Sequence, residues 1–171
     1  MAAATVSLDL REIDGAKNAL ASAALDGAGR EALLRGIGAE MEAQTRERFD
    51  TRRSPEGDAW KALAQKTRDY YAENGLGHRS LLVGSGALRD SVRSEVEGGA
   101  WSALVGATME YAAVHQFGAT IRPRAAKALA VPGYGTLRKA TIPARPYLGV
   151  SAGDASDIAA LASAFLAGRV A

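Results

Sequence analysis

Apolar positions recur along this chain with two different periods. Between Thr5 and Leu10 they alternate with polar ones, which puts Val6, Leu8 and Leu10 on one face and predicts a short strand at a sheet edge. An alanine-rich helix is expected from Asp14 to about Leu25, ended by Asp26-Gly27 and Gly29. From Leu33 the spacing turns helical. Leu33, Leu34, Ile37, Met41 and Phe49 form one stripe, and Glu40, Glu42, Arg46, Glu47 and Arg48 occupy the rest, predicting a long amphipathic helix to about Asp50.

Turn chemistry punctuates the chain beyond this helix. Thr51 to Asp58 is charged and holds Ser54-Pro55-Glu56-Gly57, a connection that delivers Trp60 and Leu63 as anchors before a helix from about Ala64 to Glu73, closed by Asn74-Gly75. Ser85 is placed to cap a helical turn at Ala87 to Asp90. Ser91 to Glu97 and Ala100 to Ala107 flank Gly98-Gly99, the signature of a β-hairpin. Glu110 to Phe117 predicts a two-turn helix stopped by Gly118. Ala119 to Thr141 is expected as a long loop, and Asp154 as the cap of a last helix carrying Ile158, Leu161, Phe165 and Leu166.

Composition adds limits to this picture. With 47% hydrophobic and 23% charged residues the 171-residue chain is an ordinary globular one, but only 6% is aromatic and much of the apolar count is alanine. Such a core is modest and suited to completion by neighbouring subunits. The absence of cysteine excludes disulfides and thiolate metal sites. No secretory leader pattern opens the chain, and no stretch has the roughly 18 uninterrupted apolar residues of a membrane span.

Charge is segregated. From Ala119 through Gly153 there are six basic residues and no acid, so this stretch carries +6 of a net +2 and leaves −4 elsewhere. Two readings of its cations stand open. Arg122, Arg124, Lys127, Arg138 and Lys139 face the phosphates of DNA without reading sequence, or they belong to a solvated loop or a contact with an acidic neighbouring subunit. Too few rings interleave for single-strand binding, and no recognition helix is present.

Catalytic patterns are incomplete. His78 and His115 are the only histidines, without the carboxylate cluster a metal would need. Gly84-Ser85-Gly86 matches neither a phosphate loop nor a nucleophile elbow. The carboxylates Glu40, Glu42 and Glu47 read as a solvated helix face, and Glu56 and Asp58 as turn residues. No catalytic, cofactor or metal residues are assigned.

Several motifs in one order carry a resemblance. Phe49 ends the long helix before Ser54-Pro55-Glu56-Gly57-Asp58-Ala59-Trp60. Leu81 to Ser91 comes next as a leucine-rich turn with Ser-Gly-x-Leu-x-x-Ser. Val105-Gly106-Ala107 precedes Tyr111-Ala112-Ala113-Val114-His115-Gln116-Phe117-Gly118, and Ile142-Pro143-Ala144-Arg145-Pro146-Tyr147-Leu148-Gly149 completes the series. Over about Leu33 to Phe165 the chain resembles the phage virion morphogenesis family, the tail-completion and neck proteins of Mu-like contractile-tailed phages. Ala62 stands where that family commonly has proline, and Tyr147 where it has phenylalanine.

The resemblance implies a non-enzymatic virion protein that completes or terminates the tail, or seals the head-tail junction, as a ring, by analogy a hexamer. It would be assembled in the host cytoplasm and sit at the neck or head-proximal tail end, with connector and tail tube or sheath proteins as neighbours and no membrane contact. A DNA-binding packaging accessory is the rival. Candidate interface residues are Tyr111, His115, Gln116, Phe117, Pro143, Arg145, Pro146 and Tyr147, the prolines holding Arg145 ready to dock. The expected fold is α+β: a small antiparallel sheet with a hairpin packed on a long amphipathic helix, with a strand and helix arm over residues 1–30 and one domain over 31–171 that ends in the C-terminal helix.

Overall fold

The computed structural model describes residues 4–9, 27–77, 79, 81–97 and 102–168. The expected helix from Asp14 to Leu25, His78 and the Gly98-Gly99 turn lie outside them. The architecture is α+β. β1 (Ala4–Asp9), β2 (Val92–Val96) and β3 (Ser102–Ala107) form an antiparallel sheet in the order β1-β3-β2. Val92 pairs with Ala107 and Val96 with Ala103, the register of the predicted hairpin, and β1 lies at an edge as its alternation implied. β1 pairs with β3 along its whole length, so the first strand is built into the sheet.

One face of the sheet carries α1 (Gly27–Thr51), the helix predicted from the Leu33 to Phe49 stripe. Leu33, Leu34, Ile37, Met41 and Phe49 are buried with Val92 and with Ala103, Val105 and Ala107, the alternate inward positions of β3. Gly38 lets helix and strand approach, since a Cβ there would lie 3.0 Å from that of Ser94. The helix begins earlier than the sequence suggested and runs straight through Gly29. Arg48, expected on the outer face, is buried: it continues the inner stripe of Leu34, Ile37, Met41 and Thr45 at three- and four-residue steps.

The outer edge of β2 is closed by α1 itself. The Glu42 carboxylate accepts from Ser94 N at 2.8 Å, and Arg46 donates to the Val92 carbonyl at 3.0 Å. These bonds occupy backbone groups that would otherwise invite another strand.

Three shorter helical segments lie between the long helix and the last: α2 (Gln65–Glu73), the turn α3 (Ala87–Asp90) and α4 (Ala112–Phe117). At α3 the cap position is held by Gly86, with φ +81°, and Ser85 Oγ accepts from Ala87 N at a long 3.4 Å, so the predicted serine cap is displaced by one residue. The last helix, α5 (Ala152–Ala167), packs Ile158 and Ala162 against α1. Its cap is Ser151 and not Asp154. Asp154 is the third helical residue and closes a capping box, accepting from Ser151 N at 2.7 Å while Ser151 Oγ accepts from Asp154 N at 3.0 Å.

The region expected as a long loop is a β-arm. β4 (Ala119–Ile121) pairs with β7 (Ala140–Ile142), and between them β5 (Leu129–Val131) pairs with β6 (Gly135–Leu137). Three-residue strands leave almost no periodic trace, which is why the sequence read as irregular.

Candidate functional site

Arg145 to Gly149 has no regular secondary structure, yet Arg145, Tyr147 and Leu148 are buried. A buried irregular segment is tolerable only if its backbone groups find partners. Here side chains from distant motifs supply them. Trp60 Nε1 donates to the Pro146 carbonyl at 2.8 Å, and Arg48 donates to the carbonyls of Tyr147 at 2.9 Å and Gly149 at 3.0 Å. Gln116 Oε1 accepts from both Tyr147 N and Leu148 N at 3.0 Å, while its Nε2 donates to the Leu148 carbonyl at 2.9 Å. A third amide of the segment, Arg145 N, donates to the His115 carbonyl at 2.8 Å.

Side chains of the segment reach outward in the same way. The Tyr147 hydroxyl donates to the Ala112 carbonyl at 3.2 Å, and burial raises its pKa far above the usual phenol range. Its ring lies 5.1 Å from Phe49, which meets Trp60 edge-on at 5.6 Å. Arg145 donates through Nε to the Lys61 carbonyl at 2.8 Å and through Nη2 to that of Ala62 at 3.4 Å. Arg48 also forms a buried ion pair with Asp154, which ties the segment to the cap of α5.

Backbone geometry completes the join. Gly118 has φ +71°, and a Cβ there would stand 2.7 Å from Ala144 N and 3.0 Å from the Ile142 carbonyl, so only glycine lets the end of α4 lie against the incoming segment.

Three of the residues expected at an interface are therefore internal: Tyr147 is 0%, Arg145 5% and Gln116 7% exposed. Each bonds to its own chain, Gln116 and Tyr147 within the core and Arg145 to the Lys61 and Ala62 carbonyls. Pro143, Pro146 and His115 are half-buried. Tyr111 at 40% and Phe117 at 71% remain on the surface, with Tyr111 edge-on to the His115 ring at 5.7 Å. His115 borders a cavity of about 370 Å³ shared with Tyr71, Arg79 and Ser85. Its Nδ1 is buried without a hydrogen-bond partner among the described residues, and burial, followed by the nearby Arg145 charge, lowers its pKa.

The cations of the arm are placed differently. Arg122, Arg124, Lys127, Arg138 and Lys139 are all exposed, and none forms an ion pair among the described residues. The arm's tip rests on α2: Tyr134 and Thr67 share a hydroxyl hydrogen bond of 2.8 Å, Lys66 sits 5.1 Å above the Tyr134 ring, and Gly133 packs on Tyr70. Between the arm and the Lys61 to Thr67 segment runs a groove of about 740 Å³. Among the described residues, no group of three or more His, Cys, Asp or Glu is placed to hold a metal, and no helix is long and apolar enough to cross a membrane.

Sequence reasoning missed Arg48 and Asp154 as members of this network. The signal was there in the helical step from Met41 and Thr45 to Arg48, but charged residues on a long helix are ordinarily solvated.

Fold and site together define a small α+β assembly module: separated motifs converge to staple one irregular segment, and aromatic and cationic groups are left outside. The chain belongs to the phage virion morphogenesis family, whose model matches residues 9–167. Its role lies in building the phage virion. No curated protein and no solved structure matches it.

Proposed function

We propose that this protein is a structural component of the neck or the head-proximal tail end, which completes or terminates the tail or seals the head-tail junction by assembling as a closed ring, a hexamer by analogy with tail symmetry. The observation that carries the reading is the family match across nearly the whole chain. The geometry supports it. Gln116, Arg145 and Tyr147 hold the fold rigid from within, while Phe117 and Tyr111 stand exposed as aromatic anchors of the kind that dominate protein interfaces. A non-enzymatic role is part of this reading.

An infection in which the gene is deleted tests it. Separate, unjoined heads and tails are the expected product in electron micrographs, restored to whole particles by the wild-type chain supplied in trans. Intact infectious particles in its absence would refute an assembly role.

A further inference from the structure

The cations of the basic arm are unmatched by acids among the described residues of their own chain. Five of them project from it exposed, and no carboxylate among those residues lines the groove beneath. The walls of that groove are apolar, built from Leu63, Ile121, Leu129, Val131, Leu137 and Ile142, with Lys61 and Lys139 at its border. Duplex DNA presents charge along its whole length and does not fill an apolar channel. A protein surface that is apolar at its centre and acidic at its flanks does.

The same chain carries such a surface elsewhere. On the outer side of α1 and α5, Gln44 donates to Glu40 at 3.0 Å and to Asp157 at 3.1 Å, holding the two carboxylates together across the helix pair. Glu47 lies two turns along α1 from Glu40, on the same side of the helix. Neither Glu40, Glu47 nor Asp157 forms an ion pair among the described residues, whereas Glu31 and Glu42 on α1 are matched by Arg35 and Arg46. The exposed residues near them are small, Ala39 and Ala43 on α1 and Ala160 on α5, so another chain can approach closely.

We infer that the arm of one copy lies across the α1 and α5 face of a second copy, its groove receiving the alanine-lined helix surface and its cations pairing with Glu40, Glu47 and Asp157. The two patches differ, so the contact is head-to-tail and propagates to a ring or a filament. This inference rests on the ring reading and supplies its interface.

Charge reversal tests it on the full-length chain. R138E/K139E and E47K/D157K should each weaken self-association, measured by sedimentation, by about tenfold or more, and their combination should restore it. Circular dichroism checks that each variant is folded. Because the chain has no cysteine, a second measurement is clean: A130C mixed with A43C should give disulfide-linked dimers on oxidation, and the doubly substituted chain a ladder.

Self-association that is unchanged by either reversal, or not rescued by the combination, would overturn the interface while leaving the ring reading intact. So would a wild type that stays monomeric together with an A43C/A130C chain that gives no disulfide ladder on oxidation. If R138E/K139E instead abolishes salt-sensitive binding to a short DNA duplex and no cross-link forms, nucleic acid occupies the arm. If it blocks particle assembly with self-association intact, another virion protein does. Both results contradict the inference. Failure of the ring reading itself shows separately, as whole particles formed without the gene.

Discussion

Gln116 and Leu148 form a reciprocal pair in which a side-chain amide behaves as a neighbouring strand would, accepting from the Leu148 N–H and donating to its carbonyl. The same oxygen accepts from Tyr147 N, so one residue satisfies three backbone groups of an otherwise unsupported segment. Replacing Gln116 with Ala strands all three in a buried site. A loss of about 2–4 kcal/mol is expected, less than the sum of three full penalties because water can enter the gap. Gln116→Glu should be no rescue, since a carboxylate cannot donate to the Leu148 carbonyl. Urea denaturation checks both, the midpoint falling with little change in slope.

Arg48 and Asp154 should behave as a coupled unit. Arg48→Met leaves the carboxylate without its partner, and Asp154→Asn leaves a buried guanidinium, each costing about 3–5 kcal/mol. The double variant should lose about 1–3 kcal/mol less than the sum. Some loss remains specific to position 154, because Asp154 also accepts from Ser151 N in the capping box. Additive losses in a double-mutant cycle would show that the pair is not coupled.

Phe117 and Tyr147 separate assembly from folding. Phe117→Ala removes an exposed ring and should change stability by no more than about 0.5 kcal/mol while impairing incorporation into particles. Tyr147→Ala empties a core position in contact with Phe49 and should cost about 3–5 kcal/mol. Tyr147→Phe should cost about 1 kcal/mol through the lost bond to the Ala112 carbonyl. Thermal melts beside particle yields in complementation distinguish the two classes.

His115 gives stability a dependence on acid. Its folded pKa lies below the ordinary imidazole value, chiefly from burial and then from Arg145, so the folded state disfavours the proton. Above about pH 6.5 the ring is neutral whether folded or unfolded and no stability is lost. As pH falls below that value the unfolded chain binds the proton first, and stability declines until the lowered folded pKa is passed. His115→Gln should flatten this part of the pH profile relative to wild type, measured by denaturation from neutral to mildly acidic pH.

Much of the fold was legible because its elements are long or strongly periodic: the α1 stripe, the antiparallel β2–β3 pair, and the strand at Ala4–Asp9. The motifs of the site were legible too, but their purpose was not. Aromatic and arginine residues between prolines look like interface anchors in one dimension, whereas Arg145 and Tyr147 face inward because segments from Trp60 to Gly118 surround them. The arm escaped notice for the opposite reason. Its strands are three residues long, and their pairing joins positions up to 23 apart, where no local pattern connects them.

The arm's attachment has a mechanical meaning. Its two base strands run directly into Gly118 at one end and the Ile142 to Gly149 segment at the other, and its tip is fastened to α2 through Tyr134. The segment that continues the arm is held by the Gln116, Arg48 and Trp60 bonds, at successive positions from Pro146 to Gly149. A load on the arm would thus pass from its short strands through the Tyr147 and Gly149 carbonyls into the longest helix.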